Sequence, residues 1–299
     1  MERFRPLLPV GYAAGVAAYR AAVADLTPAD LSTHYTAGLG WFHGEFVPRL
    51  KATLRDLSGG AWDLSDFDTY AAGSDVDFMA HLVEAVAARE EVCLYPGDWF
   101  GFRVGSTHQA RIVWDADTRG RLACLCVPSV RNGHLTADMG RFLADAGACL
   151  LNLNLFPTLA PAERRAVAES LSGVLGKSVL SISFSRGFGL TASQLGVALV
   201  PRDHLYRRRY AQAWEWFTYF FNGLAARAFL GLDLAAVAAV DAARRDWVGD
   251  WLRENGLPAV LSGSYYVKAF RTAGGTVPEL LRPLARDGLV RLCLKPPQV

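Results

Sequence analysis

Residues 177–201, KSVLSISFSRGFGLTASQLGVALVP, constrain the fold of this chain more than any other stretch. Residues 178–184 form a β-branched and apolar run, which is typical of a buried strand. A turn rich in glycine and serine follows, and the apolar run 195–200 predicts a second strand. A strand, a glycine-bearing turn and another strand hold a few side chains rigidly at the rim of a sheet.

Positions 183–200, SFSRGFGLTASQLGVALV, resemble the segment around the cofactor lysine of fold-type I pyridoxal-phosphate enzymes, the aspartate aminotransferase family. That family has Ser-x-x-Lys, then Phe-Gly-Leu, then Arg-x-Gly leading into a strand. The matching residues are Ser183, Phe188, Gly189, Leu190 and Gly196. Arg186 stands in the place of the lysine, and Gln194 in that of the arginine that clamps the cofactor phosphate. A guanidinium stays protonated and is no amine nucleophile, so Arg186 cannot form the covalent link.

The resemblance also implies which other cofactor contacts are kept. The turn ending in Ser74 resembles the one that offers backbone N–H groups to the phosphate at a helix N-terminus. Trp99 fits the ring that stacks on the pyridine; the alternative is a core or interface aromatic. Asn152 (or Asn154 in a shifted register) replaces the aspartate that pairs with the pyridine nitrogen. Val130 and Leu155 replace the two residues that bond the ring oxygen. Each lost contact is worth roughly 1–3 kcal/mol in a buried site, so the sequence predicts no cofactor and lost pyridoxal-phosphate binding.

The C-terminal part of the chain follows the order of the family's small domain. Its last predicted strand carries Val-Arg-x-x-Leu, and Arg291 stands where the family has the arginine that grips a substrate α-carboxylate through a bidentate pair. The alternative is a surface charge in a terminal strand. The resemblance extends over residues 35–294 by the order and spacing of elements.

Composition is that of an ordinary globular protein: 299 residues, 52% of them hydrophobic and 20% charged, with a net charge of +2. The basic residues are scattered, which predicts no nucleic-acid partner. Five cysteines without a Cys-x-x-Cys pair predict free thiols in a reducing cytoplasm and no metal site. No uncharged stretch is long enough to span a bilayer, and the small-residue run 10–23 predicts a helix and not a signal peptide.

Strands alternate with helices along the chain, which predicts an α/β fold: a three-layer sandwich with a mostly parallel sheet, plus a small α+β domain. We expect residues 63–68 to be a connector, residues 204–230 to form one aromatic-rich helix and residues 277–286 to form the last helix. The predicted large domain covers residues 31–232 and the C-terminal small domain residues 233–299. Residues 1–30 are predicted to form an N-terminal arm and helix that belong to the small domain.

For function, the first hypothesis is a cofactor-independent enzyme that uses the cleft for an amino acid or a derivative. Arg291 would hold a carboxylate, Arg186 an anion or a developing negative charge, and Trp99 would stack on the substrate. The other residues predicted to complete the binding site are Asn152, Asn154, Ser74, Ser183, Gln194 and Tyr265. Candidates for proton transfer are Asp98, His108 (or a plain loop histidine) and Tyr265 or Tyr266.

Two alternatives stay open. One is a non-catalytic partner protein whose surface matters; the other is an enzyme that holds pyridoxal or pyridoxamine phosphate without a covalent link. Some sugar dehydratases of this superfamily lack the lysine in that way, but they have histidine in its place and generally retain the aspartate. The resemblance further implies a homodimer with the cleft at the subunit interface. The abundance of Ala, Arg, Leu and Gly suggests a GC-rich bacterial genome and, by analogy, a role in specialised metabolism.

Overall fold

The computed structural model describes residues 11–32, 40–191, 195–214, 220–257, 263–270, 279–286 and 289–293. Its strands are β1 Phe67–Ala72, β2 Val92–Leu94, β3 Ile112–Trp114, β4 Leu122–Cys126, β5 Ala148–Asn152, β6 Ser178–Ser183, β7 Gly196–Pro201, β8 Val267–Phe270, β9 Ala285–Arg286 and β10 Leu289–Cys293. Its α-helices are α1 Ala13–Ala24, α2 Pro28–Ser32, α3 Val47–Leu57, α4 Asp75–Ala87, α5 Gly101–Val104, α6 Ala137–Ala144, α7 Pro161–Leu171, α8 Arg207–Trp214, α9 Phe220–Leu230 and α10 Leu234–Glu254. A π-helical turn, Phe42–Phe46, leads into α3, and short 3₁₀ turns cover Gln109–Arg111, Phe156–Thr158, Ser172–Lys177 and Glu279–Leu284.

Seven strands form one sheet in the order β1-β7-β6-β5-β4-β2-β3. The five strands from β6 to β3 in that order run parallel, and β7 is antiparallel to both of its neighbours. Successive side chains of a strand point to opposite faces, and in β4 Ala123 and Leu125 join one buried cluster while Leu122 and Cys124 join another. Both faces are therefore covered, and the predicted α/β fold with a mostly parallel sheet is confirmed.

The second sheet has three antiparallel strands in the order β8-β10-β9. Arg291 lies on its central strand, β10, opposite Ala269 of β8. The division of the chain into domains at residues 30 and 232 stays a prediction.

Two features differ from the sequence-based expectation, and a third is described only in part. Residues 63–68 do not form a simple connector, because β1 begins at Phe67 and pairs with β7 along its whole length. The charged side chain of Asp68 interrupts the apolar pattern by which this strand could be recognised in the sequence. Because β1 is an edge strand, the Asp68 carboxylate can pair with Arg202 and Arg207. The expected helix at 204–230 is described as α8 and α9, with residues 215–219 outside the described residues. The expected last helix is instead a 3₁₀ turn followed by β9.

None of the described helices is long and apolar enough to cross a membrane by itself. The segments Gly223–Leu230 and Leu234–Glu254 reach that threshold only as a pair, and they are bent by 87° relative to each other.

Candidate functional site

The cleft lies at the carboxyl ends of the parallel strands, where open α/β sheets bind their ligands. The loops after β2, β4, β5 and β6 carry its walls. Each of these strands is buried, so the loop that leaves it starts from a fixed point. The site is therefore built on the rigid part of the fold.

Two cavities lie in this cleft. The first, here called the aromatic cavity, has a volume of about 290 Å³ and is lined by Trp99, Phe100, Cys126, Pro128, Val130, Asn152, Asn154, Leu155, Arg186 and Arg291. The second, the serine cavity, has a volume of about 360 Å³ and is lined by Ser74, Asp75, Val76, Ser183, Phe184, Ser185, Arg186, Leu190, Thr191 and Leu195. Arg186 lies in the wall of both cavities, so the two cavities share its guanidinium.

The start of α4 forms one wall of the serine cavity. Ser74 is the N-cap residue, and its backbone N–H donates to the Asp77 side chain at 2.9 Å in a capping box. The next residue, Asp75, is buried, and its carboxylate accepts a hydrogen bond of 2.6 Å from the Asn154 side chain. Burial raises the pKa of Asp75 above its usual range, and the Asn154 bond and the nearby Arg186 charge offset part of that shift. This wall therefore holds a carboxyl group that is not easily ionised.

The two predicted asparagines tie β5 to its neighbours. The Asn154 side chain also accepts from the backbone N–H of Ser183 at 2.6 Å, so it bridges the two cavities. Asn152 accepts from the backbone N–H of Asn154 at 3.0 Å and lies 3.6 Å from the sulfur of Met79. Both asparagines line the aromatic cavity, and their hydrogen bonds fix the shape of its floor.

Trp99 and Phe100 form the outer wall of the aromatic cavity. The Trp99 ring is half-buried and meets Phe102 edge-on at 5.3 Å between ring centroids. A Cβ atom at Gly101 would lie only 2.1 Å from this ring, so the glycine is required for its position. Phe100 is 65% exposed. Trp99 and Phe100 therefore contribute apolar surface to the cavity.

Asp98 is buried behind that wall and is not among the lining residues of either cavity. Its carboxylate accepts hydrogen bonds from the backbone N–H groups of Cys126 at 2.7 Å and Val130 at 2.9 Å, and from the Ser129 hydroxyl at 2.7 Å. Burial raises the pKa of Asp98, and these donors offset part of the shift. Predicted as a proton carrier, Asp98 is placed by the structure as the residue that holds the β4 turn together.

Tyr265, predicted to bind substrate, lies in a polar cluster with Tyr12 of the N-terminal segment and with Asp241 and Arg244 of α10. Its hydroxyl donates to Asp241 at 2.7 Å and lies 2.9 Å from the hydroxyl of Tyr12. The Tyr12 hydroxyl in turn lies 2.6 Å from Asp241 and 3.4 Å from the backbone carbonyl of Arg186. The guanidinium of Arg244 stacks over the Tyr12 ring at 4.2 Å. This cluster supports the Arg186 loop from outside the cavities.

The remaining predicted residues divide between the site and the surface. Arg291 lines the aromatic cavity, and Ser74 and Ser183 line the serine cavity. His108 lies outside both linings; its Nε2 atom is 3.7 Å from Glu84 and its side chain is 43% exposed. Gln194 lies outside the described residues.

The lining residues with polar or sulfur-bearing side chains that were not predicted as site residues are Asp75, Ser185, Thr191 and Cys126. Ser185 could have been found, because it lies next to Arg186 in the glycine-bearing turn. Asp75 gives no separate signal in the sequence, because an acidic residue at the start of a helix is already explained by capping. Burial raises the pKa of the Cys126 thiol well above its ordinary value, so this cysteine is an unreactive part of the wall. Among the described residues no group of three or more His, Cys, Asp or Glu could hold a metal ion.

No known family profile matches this chain. No curated protein matches it by sequence. Solved structures do match its fold. An aromatic aminotransferase from Pyrococcus horikoshii OT3 is 15% identical with a TM-score of 0.65, over 98% of this chain and 91% of the other. An aminotransferase from Staphylococcus aureus is 14% identical with a TM-score of 0.64, over 98% and 91%.

The pyridoxal-phosphate-bound C-S lyase from Staphylococcus hominis is 9% identical with a TM-score of 0.64, over 98% of this chain and 87% of the other. These structures share the fold-type I architecture of pyridoxal-phosphate aminotransferases. The chain therefore has that fold, as the segment around Arg186 predicts.

The prediction that the cofactor is lost is wrong. The finding that overturns it is the shared fold, since the structures that have it include a C-S lyase solved with pyridoxal phosphate bound. The physical reason is that the count of lost contacts treated Arg186 only as a missing lysine. In the structure its guanidinium is a cation in the wall of both cavities, beside the hydroxyls of Ser183 and Ser185.

Proposed function

We propose that this protein is an aminotransferase-like enzyme that acts on an amino acid and holds pyridoxal phosphate without a covalent bond. The observation that carries the proposal is the position of Arg186 in the wall of both cavities. At this position the resemblance expects a lysine, and an arginine supplies the positive charge without the nucleophile. Anion binding is therefore kept while covalent attachment is not.

The serine cavity fits the phosphate end of such a cofactor. The hydroxyls of Ser74, Ser183 and Ser185 can donate to phosphate oxygens, and Arg186 can pair with them in the bidentate manner of guanidinium and phosphate. The backbone N–H groups at the start of α4, a helix of 13 residues, favour an anion at the same place. The carboxyl group of Asp75 is the one feature of this cavity that opposes a phosphate.

The aromatic cavity fits the ring and the amino acid. Trp99 offers the face on which a pyridine ring stacks, and Val130 and Leu155 exclude water from beside it. Arg291, at the same cavity, can bind the α-carboxylate of the substrate through two parallel hydrogen bonds. When bound, pyridoxal phosphate supplies an electron sink for bonds at the α-carbon. The chain's own residues bind and orient the reactants, since the Arg186 guanidinium remains protonated and does not carry a proton between them.

The test is a titration of the purified protein with pyridoxal phosphate, followed by absorbance, with borohydride treatment and digestion of the product. We expect saturable binding that dialysis removes, and no label fixed by borohydride at residue 186. The Arg186→Lys variant should acquire a borohydride-fixed label on the peptide that contains residue 186. Arg165→Lys is the matched control, because Arg165 is exposed and pairs with Glu169 on the surface of α7. Absence of binding in the wild type and in Arg186→Lys would overturn the proposal and favour a non-catalytic partner protein.

We further propose a homodimer with its interface beside the aromatic cavity. Phe100 and Val104 are 65% and 63% exposed there, which is unusual for large apolar side chains so close to a cleft. Light scattering after size-exclusion should give twice the chain mass of 32.5 kDa, and Phe100→Glu should halve it. A wild-type monomer would contradict this assembly. A cytoplasmic location and a role in bacterial specialised metabolism stay predictions from the sequence.

A further inference from the structure

The serine cavity has an unusual charge balance. Of the described residues that line it, Arg186 carries one positive charge and Asp75 can carry one negative charge. A phosphate or sulfate dianion placed there would meet a cation and a carboxylate together. With Asp75 ionised, the two protein charges cancel, and the dianion gains little from entering the cavity.

The geometry keeps Asp75 at this position. It is the first residue of α4, it is 6% exposed, and its carboxylate is held by Asn154 at 2.6 Å. The start of β7 closes the other side, because a Cβ atom at Gly196 would lie 2.0 Å from the backbone nitrogen of Asp75. The carboxyl group therefore cannot move far from an incoming anion, and protonation is the remaining way to remove the repulsion.

We propose that the serine cavity binds its anionic ligand together with one proton, and that the carboxyl group of Asp75 takes up that proton. The protonated acid is neutral and carries an O–H that can donate to the anion, so it becomes part of the binding site. This inference rests on the proposed anion site at Arg186 and adds a rule of selection. The cavity prefers singly charged anions, or dianions whose binding is coupled to the uptake of a proton by Asp75.

Few other groups can titrate against Asp75 in the part of the chain that the structure describes. Arg186, in the loop after β6, stays protonated at any relevant pH. Cys126, at the end of β4, has a thiol pKa far above its ordinary value and stays neutral. On α4 itself, the Asp77 carboxylate accepts a hydrogen bond from the backbone N–H of Ser74. The His81 ring packs edge-on against Tyr210, with 6.3 Å between the ring centroids. Because burial already raises the pKa of Asp75, the proton is available at milder pH than for an ordinary aspartate.

The experiment uses sulfate as the probe, because it remains a dianion across the range from about pH 5 to pH 8, so that any proton taken up comes to the protein. Isothermal titration calorimetry in two buffers of different ionisation enthalpy gives the number of protons bound with sulfate. Above the pKa of Asp75 in the free protein, we expect the wild type to take up about one proton with sulfate, and the affinity to fall about tenfold for each further pH unit. For Asp75→Asn we expect no proton uptake, a flat pH profile and tighter binding than wild type at pH 8.

The outcomes separate this inference from the proposed function. Sulfate binding without proton uptake in the wild type would overturn the inference, even if Asp75→Asn did not fold. An unchanged pH slope in Asp75→Asn would assign the proton to another group and also overturn it. Failure of the proposed function would be seen in a different measurement: pyridoxal phosphate would not bind, and Arg186→Lys would not capture it covalently.

Discussion

Asp98 and Asp75 are both buried aspartates at the carboxyl-end side of the same sheet, and they differ in what surrounds the carboxylate. The Asp98 carboxylate accepts hydrogen bonds from two backbone N–H groups and one hydroxyl group of the protein, and it lies behind the wall of the aromatic cavity. Asp75 has one side-chain donor, Asn154, and lies in the wall of the serine cavity with Arg186. The first carboxylate holds a turn; the second faces a space that a ligand can enter.

The comparison teaches how to separate structural from functional acids in such a cleft. A carboxylate saturated by protein donors has no capacity left for a ligand, and its removal strands those donors. A carboxylate with an incomplete set of donors and a nearby cation changes its protonation when an anion arrives. The predicted proton carrier, Asp98, has the first environment, and Asp75 has the second.

The largest effect should come from Asp98→Ala. The substitution leaves the N–H groups of Cys126 and Val130 and the Ser129 hydroxyl buried without their acceptor. We expect the free energy of unfolding to fall by about 4 kcal/mol, because each stranded donor costs roughly 1–3 kcal/mol. Urea unfolding followed by circular dichroism at pH 7 measures this loss.

Asp75→Ala is the control for that measurement. It removes one hydrogen bond beside a cavity that water can enter, so we expect a change within about 1 kcal/mol. Equal losses in the two variants would mean that both aspartates are structural and would remove the contrast between them.

A second, smaller effect should come from Gly196→Ala. The added Cβ would lie 2.0 Å from the backbone of both Ser74 and Asp75, so β7 and the start of α4 must separate. We expect a loss of about 2 kcal/mol in the free energy of unfolding, typical of overpacking, together with weaker sulfate binding. Gly140→Ala is the matched control, since nothing lies within 4 Å of its added Cβ and it is inside α6, where alanine is favoured. Unchanged sulfate affinity in Gly196→Ala would show that the serine cavity does not depend on this contact.

The sequence predicted the aromatic side of this cleft better than the serine side. The aromatic cavity is lined by four predicted residues that lie in, or shortly after, strands whose apolar runs are plain in the sequence: Trp99, Asn152, Asn154 and Arg291. The role of Asp75 was not visible, because an acidic residue at the start of a helix is already explained by capping. Its partner Asn154 is 79 positions away, and only the pairing of the strands brings the two together.

The same limit explains the interpretation of Asp98 and the missed strand β1. The donors to Asp98 are 28 to 32 positions away and mostly backbone atoms, which leave no mark on side-chain patterns. The charge of Asp68 interrupts the apolar pattern of β1, and its partners, Arg202 and Arg207, come much later in the chain. Local periodicity predicted the buried central strands, whereas these features depend on contacts between distant segments.

The third prediction separates the two cavities through their ligands. Trp99→Ala removes the flat face of the aromatic cavity and leaves the lining of the serine cavity intact. We expect pyridoxal phosphate to bind about tenfold more weakly, because the stacking of one ring is worth roughly 1 kcal/mol beyond its buried area. Sulfate affinity should stay as in the wild type. Equal weakening for both ligands would mean that Trp99 supports the fold of the cleft instead of contacting the ring.

The smallest effect should come from His108→Gln, which tests the proton carrier that the structure places on the surface. His108 lies 3.7 Å from Glu84 and lines neither cavity. The pKa of Glu84 is lowered to about 2 mainly by the Ser106 and Thr107 hydroxyls, with His108 a minor cause, so the loop keeps its main contacts in the variant. We expect pyridoxal-phosphate and sulfate affinities within about twofold of the wild type, as for other exposed ion pairs. The same titrations measure both, and a tenfold loss of either affinity would bring His108 back into the site and make the surface loop, not only the two cavities, part of ligand binding.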